Sequence, residues 1–562
     1  MPPTSDDARF SELEHLAIKR FAELTDPEAL LLRRVCSGDD KESTESHDRP
    51  TIRAEVVRWL IADRAAWPYI DPLGVRLANV TFAEALNLNS CDPPFPVEFE
   101  YCTFKSVLSF REAFAPFIRL FSCTTNDQIL AGGLRTTEDL FLRNHQADHE
   151  IELLGVKIGG DLDCDGSRFL GLGDALSADR AMIGGEVFLR GIQSAGTIRF
   201  LGSELSGNLE MKGAQFTRPD TMLSLDSAKI KGNIYLNGLF SCPGVIRLRG
   251  AQIGGEINCN SAQIGSIVCD GMSASGSLTW TNIRRSQSGN KAKLRLFGAT
   301  VGALYDDHES WPDQGDLHVL DFVYQDLVLH DSTTSDLVQS KVWNRVFSLN
   351  SKDRIEWLEL QPKAEQEYAQ PWMQLSKLLQ NSGDDKGAKH VLYVYHRLRA
   401  QTSNPLLRVG SWPYHRLQED PLWVGFPIAS LGILGSFIFW RAKRMQAMVP
   451  TDKEVRKEFR DSGKLLAGYP PFNPVIYTIE NVLPVVKLGQ DAAWTPDHQV
   501  ETGSWIPERP QWLRTLSSRW ILTRFLSRLS YRRLAVLRWA LILLGWALAL
   551  ILAAAIGSQF KS

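Results

Sequence analysis

The sequence lacks the motifs by which several large enzyme classes are recognised. Its eight cysteines (Cys36, Cys91, Cys102, Cys123, Cys164, Cys242, Cys259 and Cys269) contain no Cys-x-x-Cys pair. That excludes iron–sulfur and haem-attachment spacing. The nearest glycine-rich candidate, GLGDAL at Gly171, lacks the GxGxxG spacing and the strand–helix context that place a pyrophosphate on a helix N-terminus. No TVGYG-type filter follows any hydrophobic stretch. The opening MPPTSDDARF is polar and acidic, without a secretory pattern, so the large amino-terminal part is expected in the cytoplasm. Cysteines used singly suit a reducing compartment. From Arg509 onward there is no acidic residue at all.

What the chain does have is a repeated phrase: glycine, any residue, apolar, any residue, apolar, any residue, small. It reads GDLDCDG at Gly160, GEVFLRG at Gly185, GNLEMKG at Gly207, GNIYLNG at Gly232, GEINCNS at Gly255 and GSLTWTN at Gly276. An interleaved copy runs through Gly196, Gly244 and Gly265. Alternating apolar residues have the period of a strand with one buried face. Neighbouring phrases most often start 11 residues apart, so two make a coil of about 22 residues, the length of one turn in a stacked solenoid. The expected fold is mainly β: a β-helix solenoid over residues 72–330, three- or four-sided, behind a helical cap over 1–71. Within that cap, helical spacing runs from Ile52 to Asp63. Residues 331–420 are expected to form a helical hairpin and stalk, from PWMQLSKLLQ at Pro371 and DKGAKHVLYVYHRLRA at Asp385.

Residues 421–562 read as a membrane domain. Leu422–Trp440 and Trp539–Gly557 carry no charge, and 19 residues at about 1.5 Å each cross a bilayer core. The transmembrane helices are placed at 422–440 and 534–557, with Trp423, Trp440 and Trp539 at interfacial positions. Between them, 470–489 is a candidate re-entrant segment whose Glu480 and Asn481 form a polar site unsuited to lipid. Gly545, Ala549, Ala553 and Gly557 make a small-residue stripe for helix packing. It faces either the first span or a second copy of the chain.

Charge divides the same way. Residues 1–440 hold 44 basic against 56 acidic side chains, and 441–562 hold 18 against 9. An acidic front argues against nucleic-acid binding by the solenoid, and a basic rear suits anionic lipid. The cluster Arg514, Arg519, Arg524, Arg528, Arg532 and Arg533 favours the cytoplasmic side, whereas two simple spans would put it opposite the solenoid.

Several blocks together resemble a family of bacterial membrane proteins labelled "membrane-associated oxidoreductase", similar in style to pentapeptide-repeat proteins. They are IRAEVVRWL at Ile52, the GxLxLxGAxI-like coils, LDFVYQDL at Leu320, RIEWL at Arg354, QPWMQLSKLLQNSGDDKGAKHVL at Gln370, NPVIYTIENVLPVVKLGQDAAW at Asn473 and the final span. The resemblance implies a multi-pass protein of the bacterial inner membrane and, by its label, redox activity. It supplies no catalytic residues.

The candidate surface is the outward face of the repeat. Asp161, Asp163 and Asp165 project from one strand, with Glu186 and Glu210 on neighbouring coils. Paired carboxylates suit acid–base work on a sugar or calcium binding, while the simpler reading is a polar strand face. Phe188 and Tyr235 stand exposed among polar neighbours as a docking patch. Two further groups, His145, His149 and Glu150, and Asp306, Asp307, His308, Glu309, Asp313 and Asp316, are read as solvated turns. No metal, cofactor or catalytic residue is expected. The leading function is a membrane-anchored β-helical scaffold for an unknown protein partner, followed by a gated channel and then by the oxidoreductase of the resembling family.

Overall fold

The computed structural model describes residues 6–38, 49–220, 222–285, 289–329, 350–402, 425–483, 486–498 and 531–559. Trp423 and the arginines from Arg514 to Arg528 lie outside the described residues, as do 331–349 and 403–420 of the expected hairpin and stalk. The chain divides into two compact units, Met1–Arg399 and Ala400–Ser562.

The first unit is a parallel β-solenoid of about 11 turns. One turn contains four short strands, for example Lys157–Ile158, Leu162–Asp163, Arg168–Phe169 and Asp174–Ser177. The coil is therefore four-sided, with strands running from Val75 to Leu329. Strands pair in parallel with their counterparts one turn away, so equivalent positions stack. One inward column runs Val75, Val97, Ile118, Leu140, Leu162, Val187, Leu209, Ile234, Ile257, Leu278, Leu304, Leu327. All of these residues are buried. At roughly 1.5–3 kcal/mol per buried side chain, stability is spread along the rod rather than held at one rung. The eight cysteines are free and buried, and those within the coils serve as small apolar fillers.

The repeated glycine has a steric cause. At several corners an Asp or Asn side chain accepts a hydrogen bond from the backbone of the next turn. Asp139 Oδ1 accepts from Asp161 N at 2.7 Å, Asp161 Oδ1 from Glu186 N at 2.7 Å, Asn208 Oδ1 from Asn233 N at 2.8 Å, and Asn233 Oδ1 from Glu256 N at 2.8 Å. A Cβ at Gly185 would sit 2.0 Å from Asp161 Oδ1, and one at Gly255 2.0 Å from Asn233 Oδ1. Only glycine leaves room for the side chain rising from the turn below.

Both ends of the stack are covered, which removes open strand edges. At the first turn, α1 (Asp6–Phe21), α2 (Asp26–Ser37) and α3 (Ala54–Ala62) form the cap. Just before α3, Ile52 N donates to Thr81 O at 3.1 Å. At the other end stand α4 (Ser351–Glu359), α5 (Ala369–Asn381) and α6 (Asp385–Thr402). Glutamines of α5 substitute for a missing next turn. Gln370 Oε1 accepts from Asp321 N at 2.9 Å, its Nε2 donates to Phe322 O at 3.1 Å, and Gln374 Nε2 donates to Tyr324 O at 2.8 Å.

The second unit contains α7 (Gly425–Arg444), α8 (Lys453–Ser462), α9 (Pro474–Val482) and α10 (Tyr531–Gln559). A two-stranded antiparallel pairing joins Met448–Pro450 to Trp494–Pro496. Among the described residues, α7 and α10 are the two helices long and apolar enough to cross a membrane. The short helix α9 packs against both. A Cβ on Gly435 of α7 would lie 2.5 Å from Thr478 Cγ2, and one on Gly545 of α10 2.1 Å from the Val482 carbonyl.

Candidate functional site

The outward side chains of one solenoid face stack as strictly as the inward ones. Followed along the axis, one column reads Arg76, Glu98, Arg119, Phe141, Asp163, Phe188, Glu210, Tyr235, Asn258, Thr279, Tyr305. Three of the expected site residues, Asp163, Phe188 and Tyr235, therefore share one column. From Phe141 to Tyr235, aromatic and acidic side chains alternate at the rung spacing of about 4.8 Å.

Their exposure differs from the expectation. Phe188 and Tyr235 are half-buried rather than exposed. The Arg190 guanidinium lies 4.5 Å from the Phe188 ring centroid, and Asn233 Nδ2 donates to the Tyr235 hydroxyl at 3.1 Å. The three aspartates do not converge on a common point either. Asp161 belongs to the corner ladder. Asp163 is buried, accepts from Asp165 N at 3.0 Å and faces Arg143 at 3.4 Å. Asp165 holds Arg190 at 2.5 Å and accepts from its backbone N–H at 2.8 Å. All three are occupied in local bonds within and between turns, because a carboxylate at a corner meets backbone N–H groups before it meets solvent.

Burial raises the Asp163 pKa above its usual value, and burial together with the nearby Glu186 carboxylate raises that of Glu210. At the amino-terminal side of this face a cavity of about 240 Å³ is lined by Glu100, Arg119, Phe121, Phe141 and Arg143. Arg119 is engaged there, donating to Glu98 at 2.8 Å and lying 5.1 Å from the Phe141 centroid.

The two groups read as solvated turns are in part buried. His145 is enclosed inside the coil, with Nε2 3.1 Å from Thr125 Oγ1 and Nδ1 without a partner. Its pKa falls to about 3 because burial penalises the imidazolium. Glu150 points elsewhere, accepting from Ser177 Oγ at 2.6 Å. Asp306 and Asp307 are also buried. Asp307 accepts from Ser310 N at 2.8 Å, and Asp306 is paired with Arg354. Helix α4, which supplies Arg354, lies within the stretch 331–420 expected to be helical, but nothing in RIEWL marks Arg354 as the partner of Asp306. Among the described residues no three His, Cys, Asp or Glu side chains group as metal ligands.

In the second unit, Glu480 and Asn481 sit at the centre of a polar network. Glu480 accepts from Leu488 N at 2.9 Å, Gly489 N at 2.8 Å and Asp491 N at 2.8 Å. Asn481 is buried, donates to Tyr477 O at 2.6 Å and accepts from Arg538 Nε at 3.3 Å. Arg538, near the start of α10, also pairs with Asp491. Of the small-residue stripe, Gly545 is buried against α9, Ala549 is half-buried and Ala553 is exposed. The surroundings of Gly557 lie outside the described residues. No family model, curated protein or solved structure matches this chain.

Proposed function

We propose that this protein is a membrane-anchored scaffold whose solenoid face docks a partner protein. The observation that carries the reading is the outward column Phe141–Asp163–Phe188–Glu210–Tyr235. Its side chains are fixed at even spacing on a sheet that cannot flex rung by rung. Ordered aromatic and charged groups on rigid backbone lose little entropy on binding. The polar bonds on this face run largely between turns, which favours a docking surface over a reacting centre.

Anchoring rests on α7 and α10. Phe426, Ile433, Phe437 and Trp440 of α7, and Val536, Trp539, Leu543, Trp546 and Leu550 of α10, are exposed large apolar side chains, the surface that lipid would cover. Helix α9, nine residues long, is too short to span a bilayer core and suits the re-entrant role. Placement in the bacterial inner membrane and redox activity rest on the family resemblance alone. The channel reading is the weaker one, since the Glu480 carboxylate of the candidate polar site is taken up by three backbone amides.

The test is site-specific photo-crosslinking from residues 188 and 235 in cells, compared with the double variant Phe188→Ser, Tyr235→Ser crosslinked from the neighbouring column position 210. One discrete crosslinked protein, lost in the double variant while circular dichroism is unchanged, is the expected result. A crosslink pattern indifferent to both substitutions would sink the docking reading.

A further inference from the structure

In the solenoid, several outward arginines are matched by carboxylates: Arg119 with Glu98, Arg190 with Asp165, Arg199 with Asp174 and Asp179, Arg247 with Asp226, and Arg295 with Asp270. Among the described residues of the second unit, one group of neighbouring cations stands without such partners. Arg441, Lys443 and Arg444 occupy the last turn of α7, and Arg532 opens α10. None of the four has a carboxylate partner among the described residues.

These cations are brought to the same end of the unit. The strand Met448–Pro450 follows closely on α7 and pairs with Trp494–Pro496. Just beyond that second strand, His498 stacks on Tyr531, the first residue of α10, at 3.7 Å between centroids. Leu534 and Trp494 share one buried cluster with Ala442 and Met448. The carboxyl end of α7 and the amino end of α10 therefore meet. At that rim Arg444 lies 4.1 Å from the ring centroid of Trp440, which is itself 42% exposed. Indole and guanidinium stacked at the end of an apolar helix match the level of lipid headgroups.

We infer that this rim is a binding site for anionic phospholipid headgroups, selective over zwitterionic ones. The inference rests on reading α7 and α10 as membrane helices. Unpaired cations on a rim gain from a negative leaflet, whereas the matched arginines of the solenoid already have carboxylates to attract them.

The test uses the full chain in neutral detergent, titrated with short-chain phosphatidylglycerol, short-chain phosphatidylcholine or inorganic phosphate. Retained lipid is read by native mass spectrometry, and the unfolding midpoint by tryptophan fluorescence. Phosphatidylglycerol is expected to be retained and to raise the midpoint, with no effect of the other two. The variant R441Q/K443Q/R444Q/R532Q should weaken that binding by roughly fivefold per charge removed. K105Q/K157Q/K231Q, on the solenoid, should leave it unchanged. If the fourfold variant fails to fold, R441Q and R444Q alone should each weaken binding stepwise. Equal retention of phosphatidylcholine, saturation by phosphate, or wild-type binding by the rim variants overturns the proposal. Release of the chain from membranes by alkaline carbonate without detergent would instead overturn the membrane reading beneath it.

Discussion

Arg354 and Asp306 form a two-pronged pair, at 2.7 and 2.8 Å, with both side chains about 1% exposed. It fastens α4 to the penultimate rung of the solenoid, and Trp311 Nε1 donates to the same carboxylate at 3.0 Å. Removing one partner leaves a buried charge uncompensated, at about 3–5 kcal/mol. Arg354→Met should therefore lower the urea midpoint of unfolding sharply. Replacing Asp306 by leucine in the same chain should recover much of the loss. If the single variant melts like the wild type, the pair does not hold the end of the rod closed.

The corner ladder predicts a difference between glycines. Gly185→Ala places a methyl 2.0 Å from Asp161 Oδ1, and overpacking of this kind costs about 1–3 kcal/mol. Gly155 has φ +62° and nothing within 4 Å of where a methyl would sit, so the same change there meets no clash and should cost only the left-handed backbone strain, about 1–2 kcal/mol. Adding Asp161→Ala to Gly185→Ala should give part of the stability back. Thermal melts of the wild type and these three variants decide it, and equal shifts at both glycines would contradict the ladder.

His145 sets a pH dependence. Its folded pKa, about 3 through burial, lies below the ordinary 6.5, so the unfolded chain binds a proton that the folded one refuses. Stability is complete above about pH 6.5 and declines as pH falls toward 3, by up to about 1.4 kcal/mol per unit. His145→Asn should flatten that slope in chemical melts between pH 7 and 4. Glu28 acts lower down. Burial would raise its pKa, but hydrogen bonds from Arg53 and the Thr25 backbone hold it at about 2. Its contribution is present above about 4.5 and disappears as pH drops toward 2.

In the second unit, Gly545→Val should push α10 away from the Val482 carbonyl and lower the melting temperature in detergent, while Ala553→Val, at an exposed position, should not. Opposite results would mean that the stripe packs through its carboxyl half.

The solenoid was legible because its information is periodic. Leu162, Val187, Leu209 and Ile234 announce one column by alternation alone, and the helix at Ala54–Ala62 falls inside the stretch marked by its apolar spacing. What escaped was non-periodic. Nothing local tells that Asp163 faces Arg143, that His145 is enclosed, or that Asp306 meets Arg354, because each partner is set by stacking or by a helix 48 residues away. The engagement of Glu480 with three amides of a later turn was equally hidden: a carboxylate in an apolar stretch reads the same whether it serves backbone or ligand.

The glycine that leaves room for a side chain from the turn below has an evolutionary corollary. Because successive coils present equivalent sockets upward and downward, the chain can be lengthened or trimmed in whole coils. Each such event shifts the length by about 4.8 Å and leaves both terminal lids with a matching seam. Fractional insertions would have to bulge outward, as loops on the rim.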